Sequence, residues 1–366
     1  MINIGIIGAG RSGWELHAQR LQNLKGYRLV AMCDSTPARL QRVAANFNVK
    51  TYSDAGSLFA DAGIDVVVVA TPNSMHMKHA IAALQAGKHV VVEKPMAISV
   101  AEADAMLAAA ERAGRLLVPF HNRHWDTDYQ IVREIARKGI LGDLLTVESR
   151  VMTYTPEWIT YGAPEWNPAW RIQAAYGGGM LNDWGPHQME QILDLLDEYP
   201  SSVRCDTRRD LWAVEVDDYF SLRLYMPSGR TATVEASNNA RVSPPRWFIV
   251  GSEGSLASEG GWSNWSKVHV CRAVSGVAMD MVPQGGAATG SGRDMGVADS
   301  LSDIFYGDLA EVLATGRPPT VPAERSRDAI AILQAARESS ITGQNVTQVT
   351  ARGTYGTLTR PALAGP

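Results

Sequence analysis

At 366 residues and 39.6 kDa, the chain exceeds one ordinary domain of ~100–200 residues, and two domains are expected. Hydrophobic residues make up 45% and charged residues 20%, which excludes disorder as the overall state. The 34 basic residues are scattered among 38 acidic ones for a net charge of −4, with no basic stripe to neutralise a phosphate backbone, so nucleic acid is not an expected partner.

Met1 runs straight into the apolar stretch Ile2–Ile7, without a basic leader or a cleavage site. The longest apolar runs, such as Val66–Ala70, are far shorter than the ~20 residues of a membrane span. A cytoplasmic protein with no membrane partner is therefore expected. Cys33, Cys205 and Cys271 are few, odd in number and far apart, which fits a reducing compartment and gives no C-x-x-C metal site.

Over the first 120 residues, short Val/Ile-rich runs alternate with helical stretches. The runs are Ile2–Ile7, Arg28–Met32, Asp65–Ala70, His89–Val92 and Leu116–Val118. Helical patterns cover Trp14–Leu24, Pro37–Asn46, His76–Ala86 and Val100–Ala113. Val66–Val69 has no polar alternation, the mark of a strand buried on both faces of a parallel sheet. The rhythm predicts a doubly wound α/β domain.

The pattern changes after Trp125. Asp126–Lys138 reads as a helix, and longer alternating strands follow from Leu144. Phe220, Leu222, Leu224 and Met226 form one face, and Tyr219, Ser221, Arg223 and Tyr225 the other. Pro227-Ser228-Gly229 turns the chain into a second alternating strand, Thr231–Ala236, predicting an antiparallel hairpin with one core face. The Gly/Ser/Ala-rich stretch Gln284–Ser300 reads as a loop, Arg325–Ser340 as a closing helix and Asn345–Pro366 as a weakly patterned tail.

Gly8-Ala-Gly10-Arg11-Ser12-Gly13 lies between the first strand and the first helix, and Asp34 follows Gly13 by 21 residues at the end of the second strand. A glycine-rich turn there lets backbone N–H groups approach a pyrophosphate, and the carboxylate can accept bonds from the adenosine ribose hydroxyls. The same carboxylate repels a 2′-phosphate, so NAD is expected over NADP, although Arg39 and Arg42 lie nearby. Ala70-Thr71-Pro72-Asn73-Ser74-Met75-His76 and Glu93-Lys94-Pro95 both stand at carboxyl ends of parallel strands, where such sheets bind ligands. Farther on, Gly177-Gly178-Gly179 precedes Asp183 and His187. On one helix these two would be i, i+4 and share a face, a candidate acid/base pair; in isolation such a pair is more often a helix cap and a core imidazole. No third clustered ligand accompanies them, so no metal is expected.

These four segments, in this order, resemble the Gfo/Idh/MocA family of NAD(P)-dependent sugar and cyclitol oxidoreductases over roughly residues 1–340. His121–Asp126 and Trp170-Arg171 are similar to family segments lining the cofactor–substrate cleft. The resemblance implies a Rossmann domain, assigned to residues 1–122, followed by an α/β domain with a large, mostly antiparallel open sheet over 123–343; residues 344–366 are assigned to a C-terminal tail, of which Asn345–Pro366 has no counterpart in the family pattern. It implies Lys94, Asp183 and His187 as the catalytic set. Cofactor contacts are then expected from Gly8, Gly10, Arg11, Ser12, Gly13, Asp34, Arg39, Thr71, Pro72, Asn73, His76, Glu93 and Lys94. Asn122, Arg123, Tyr154, Trp170 and Arg171 are expected beside the substrate with Asp183 and His187, and Trp158, Trp166 and Trp184 lie close in sequence. Where many members follow the histidine with an acidic residue, this chain has Gln188.

The implied activity is NAD-dependent hydride transfer at a hydroxyl-bearing carbon of a carbohydrate or cyclitol. Two alternatives stand beside it: an NAD-dependent glycosidase that oxidises transiently, eliminates and returns the hydride, and a dinucleotide-binding regulator without turnover. The polar-aromatic face of Tyr219, Ser221, Arg223 and Tyr225 predicts a homodimer or homotetramer assembled partly through the second sheet.

Overall fold

A computed structural model describes residues 1–155, 169–259, 267–273, 279–285, 301–347 and 350–353. Six parallel strands form the first sheet: β1 (Ile2–Ile7), β2 (Tyr27–Cys33), β3 (Lys50–Tyr52), β4 (Val66–Val69), β5 (His89–Glu93) and β6 (Leu117–Phe120), in the order β3-β2-β1-β4-β5-β6. All four valines of β4 are fully buried between helical layers, each side chain worth roughly 1.5–3 kcal/mol of burial. The intervening helices are α1 (Ser12–Ala18, a widened turn, continuing as Gln19–Leu21), α2 (Pro37–Asn46), α3 (Ala55–Ala60), α4 (His76–Gln85) and α5 (Val100–Ala113). Local signals mark their ends. Asp54 caps α3 through the Ser57 amide, Ser99 caps α5 through that of Glu102, Glu102 in turn accepts from Ile98 N, and Gly114 closes α5 in the left-handed region. Sequence patterning missed β3 and α3, because Lys50–Tyr52 is three residues long and half polar.

The second sheet has nine strands among the described residues, ordered β14-β13-β12-β11-β7-β10-β9-β8-β15. They are β7 (Leu144–Met152), β8 (Ser202–Arg208), β9 (Tyr219–Tyr225), β10 (Thr231–Ser237), β11 (Trp247–Gly251), β12 (Gly254–Ser258), β13 (Lys267–Ala273), β14 (Met279–Gly285) and β15 (Val346–Thr347). Only the β7/β10 pair is parallel. The β9/β10 hairpin has the expected register and buries Phe220, Leu222, Leu224, Ala232, Val234 and Ala236 completely. These pack on α6 (Thr127–Arg137), α7 (Met180–Asp183), α8 (Gly185–Leu196) and α10 (Ala323–Thr342).

The late helix α9 (Leu301–Thr315) returns to the first sheet: Phe305, Tyr306 and Leu309 join Ile4, Ile6, Val68 and Phe120 in one core. α10 packs on α8, β8 and α5, so it lies against both sheets' helices. Trp158 and Trp166 lie outside the described residues, as do 286–300 of the expected loop and most of the tail; Gln284 and Gly285 end β14.

Candidate active site

A cleft opens at the carboxyl ends of β1, β2, β4 and β5, where a parallel sheet leaves its loops free to hold a ligand. Its floor is the glycine loop. Gly8 has φ +99°, and a Cβ there would stand 2.4 Å from the Ala70 carbonyl oxygen; at Gly13 it would stand 1.8 Å from the Gly8 carbonyl oxygen. Only glycine lets the loop close against β4 and α1. Gly10, Arg11 and Ser12 line the open side. Asp34 is fixed at the adjacent wall: Oδ2 accepts from Ala9 N at 2.8 Å, Oδ1 from Thr36 N at 2.8 Å, and the Arg39 guanidinium lies 3.3 Å away. Arg42 donates to the Ala9 carbonyl and stacks over Trp14. A cradle that a Cβ would fill, amides at a helix N-terminus and a carboxylate beside them fit a dinucleotide.

The opposite wall is Thr71, Pro72 and Asn73, with Glu93 and Lys94 at the inner end. Asn73 Nδ2 donates to the Gly177 carbonyl at 2.8 Å, tying this wall to the triple-glycine loop 104 residues away. Glu93 is buried beside His17, whose Nε2 is 3.3 Å from Oε1 and whose Nδ1 is 2.7 Å from the Tyr306 hydroxyl. Burial alone would raise the Glu93 pKa, but the hydrogen bond and charge of His17, with Lys94 adjacent, hold it below the usual range.

Lys94 is the meeting point of the two halves. Its Nζ donates to Asp183 Oδ1 at 2.5 Å and to the Asp183 carbonyl at 2.8 Å. The expectation that Asp183 and His187 share one helix is corrected: α7 ends at Asp183, and α8 begins after Trp184. Pro186 within the first turn of α8 lacks the N–H that would continue α7, so the hydrogen-bond ladder is interrupted there. His187 is 5% exposed, and its Nδ1 is buried without a hydrogen-bond partner among the described residues. Burial first, then the charges of Lys94 and Arg123, push its pKa well below 6.5, leaving a neutral imidazole with basic capacity.

Other expected site residues divide. Trp170 and Arg171 line the cleft, Arg171 stacked on Trp170. Asn122 opens the turn Asn122–Trp125, and Arg123 in that turn stacks 4.5 Å over the Trp184 ring and bonds Asp126. His76 lines the cleft but is pinned between the Pro95 and Thr71 carbonyls at 2.7 and 2.9 Å, a brace between the loops after β4 and β5. Tyr154 does not line the cleft; it is 39% exposed beside Trp212 and Arg241. Residues that sequence reasoning missed include Ser35, Thr36, Ser53 and His79 on the cleft wall, and His17 behind Glu93. Ser53 follows the unrecognised β3. The only signal for His17 was its place one helical turn beyond Gly13.

Residues 2–121 match the oxidoreductase family with an NAD-binding Rossmann fold, and residues 129–257 match the GFO/IDH/MocA C-terminal domain. The uncharacterized oxidoreductase YdgJ of Escherichia coli is 32% identical over 260 residues, 71% of each chain. The scyllo-inositol 2-dehydrogenase (NADP(+)) IolW of Bacillus subtilis is 29% identical over 349 residues, 93% of this chain and 94% of that one. Among solved structures, an NAD-binding protein from Listeria innocua superposes with a TM-score of 0.81 at 27% identity, covering 98% of this chain and 99% of its own. With both halves matched and the dinucleotide cradle in place, the chain belongs to the GFO/IDH/MocA family of NAD-binding oxidoreductases.

Proposed function

We propose that this oxidoreductase is an NAD-dependent dehydrogenase acting on a secondary hydroxyl of a sugar, sugar derivative or cyclitol. The observation that carries the reading is the Lys94–Asp183 pair at the inner end of the dinucleotide cleft, with buried, neutral His187 four residues beyond Asp183. Gly8, Gly10 and Gly13 with Arg11 and Ser12 would hold the pyrophosphate, and Asp34 the adenosine ribose. Thr71, Pro72, Asn73 and Glu93 would frame the nicotinamide half. When bound, NAD supplies the hydride acceptor.

His187 takes the hydroxyl proton as the carbon is oxidised, and the Lys94 ammonium stabilises the developing alkoxide. Asp183 aims Lys94 through two bonds, so the ammonium is positioned before substrate arrives. Trp170 and Arg171 offer an aromatic face and a guanidinium suited to a hydroxyl-rich ring. Asp34 favours NAD over NADP because its carboxylate occupies the place a 2′-phosphate would need.

The scyllo-inositol activity named for IolW supports a polyol substrate. We assign the outer face of the second sheet, with Tyr219, Ser221, Arg223 and Tyr225, to self-association. The test of function is NADH formation from NAD with a panel of aldoses, glycosides and inositols. Accumulating NADH with equimolar ketone is the expected result. Cleavage of a glycoside without net NADH would assign the transient-oxidation reaction instead, and stoichiometric NAD binding with no turnover on any member would assign a regulator.

A further inference from the structure

The reaction proposed above leaves a proton on His187, and a second set of imidazoles stands behind that residue. His121 and His124 flank one tight turn, closed by the His124 amide donating to the His121 carbonyl at 3.0 Å. His121 stands just before the turn Asn122–Trp125 and His124 within it, tied together by that backbone bond. The His121 ring meets the His187 ring edge to face, centroids 5.9 Å apart at 84°. The His124 Nδ1 lies 2.9 Å from Glu190 Oε1, one turn along α8 from His187.

All four side chains are buried, at most 5% exposed. Among the described residues, no hydrogen-bond partner meets His187 Nδ1, His121 Nδ1, His124 Nε2 or Glu190 Oε2. Buried polar atoms are almost always hydrogen-bonded, to ordered water where protein offers nothing. The four atoms sit on residues joined by the His121–His187 ring contact and the His124–Glu190 bond, so each calls for a water in the same small region.

We propose that His121 relays a proton through bound water from His187 to the buried His124–Glu190 pair, so that His187 is reset away from the cofactor cleft. This rests on the dehydrogenase reading. The substrate's C–H electron pair leaves as hydride to NAD, and its O–H proton passes to His187, through water to His121, and on to His124 Nε2. The resulting His124 cation is paired with the Glu190 carboxylate already at its Nδ1. Arg325 bridges Glu190 and Asp194 at 3.4 and 2.9 Å, and its own side chain is 21% exposed while the pair stays buried. Groups facing the relay from neighbouring elements are Lys94 and Glu93 from β5 and the residue after it, Arg123 from the turn, Arg246 before β11 and Asp194 from α8. Burial first, with the Glu190 charge opposing it, pushes the His121 pKa down to about 4, as suits a transient carrier.

Two measurements test this. A crystal structure of the NAD complex, at a resolution that shows water, should place ordered water within hydrogen-bond reach of His187 Nδ1, His121 Nδ1 and His124 Nε2. Dry packing around those atoms overturns the relay, whatever the protein oxidises. In turnover, His121→Phe keeps an aromatic ring against His187 but carries no proton, and Glu190→Gln keeps volume but removes the charge. Both should leave single-turnover hydride transfer and KM within about twofold and lower steady-state kcat by roughly tenfold or more. A burst of NADH, a larger solvent deuterium isotope effect and recovery of kcat at higher pH should accompany the loss. An unchanged kcat and solvent effect, or an equal loss in the single turnover, overturns the relay while leaving the dehydrogenase reading intact. Ordered water at all three atoms with no NADH from any polyol would remove the dehydrogenase reading and, with it, the relay that depends on it.

Discussion

Lys94 and Asp183, 89 residues apart in the chain, meet through two bonds: Lys94 Nζ lies 2.5 Å from the Asp183 carboxylate and 2.8 Å from the Asp183 carbonyl. Lys94 stands just past β5 of the parallel sheet, and Asp183 closes α7 of the second half. The pair therefore sets the distance between the cofactor cleft and the elements that bring His187. Lys94→Ala should lower kcat by about 10²–10³, the scale of losing one preorganised electrostatic group, and should also raise KM. Asp183→Asn keeps the shape and the carbonyl contact, so its smaller deficit reports the charge alone. Steady-state kinetics of the two single variants and the double variant check this. Additive losses would show that the two residues do not act as a unit.

Replacing His187 separates chemistry from packing. His187→Ala should slow single-turnover hydride transfer by ~10²–10⁴-fold and leave NAD affinity within about twofold. Because burial and nearby cations hold its pKa well below 6.5, activity should persist into mildly acidic solution and fall only as the ring protonates. A folded His187→Ala protein with a normal rate would return the base to Lys94 or a water.

Cofactor choice should follow Asp34. NAD should bind at least roughly tenfold more tightly than NADP, about 1.4 kcal/mol, and Asp34→Ala should shrink that ratio to about threefold or less. The same variant strands the Ala9 and Thr36 amides, so its melting temperature should also drop. Calorimetric dissociation constants for both cofactors decide it; tighter NADP binding by the unmutated protein would contradict the assignment.

Stability should fall on the acid side of neutrality. Burial is the first cause that lowers the pKa of His76, His79, His89, His121 and His187, with His79 and His121 brought to about 4. The unfolded chain titrates these rings near 6.5, so below that pH it binds more protons than the folded chain, and stability is lost as pH falls from 6.5 toward 4. Buried Asp128 and Asp217, each raised to about 6, act in the opposite sense: between 3.8 and 6 they are protonated in the folded chain and ionised in the unfolded one. Five groups outweigh two. The melting temperature at pH 5 should therefore lie below that at pH 7, and calorimetry in buffers of different ionisation enthalpy should register proton uptake on unfolding. An equal or higher melting temperature at pH 5 would refute it.

Self-association through the second sheet is tested by light scattering. Particles of two or four times the 39.6 kDa chain mass are expected at micromolar concentration. Arg223→Glu on the outer face of β9 should shift the distribution toward the single chain without lowering NAD affinity. A single-chain mass for the unmutated protein would remove that face from assembly.

Elements with strong local patterns are legible in the sequence itself. β1, α2 and α5 fall at the expected residues, and the β9/β10 hairpin turns at Pro227–Gly229, because a period of two or 3.6 and a turn residue are properties of neighbouring positions. The glycine loop and Asp34 were legible for the same reason: backbone conformation and strand-end placement act over a few tens of residues. What tertiary structure alone decided is where distant segments meet. The helix at residues 301–315 was not read from the sequence, and only packing places Phe305 and Tyr306 in the core of the first sheet and brings Tyr306 to His17. Asp183 and His187 suggested a shared helix face, yet the break at Trp184 directs Asp183 to Lys94 and sets His187 against His121. Helical spacing orders residues along one axis; which distant residues meet that axis is set by the burial of α8 against the second sheet, a balance of contacts contributed by residues far away in the chain.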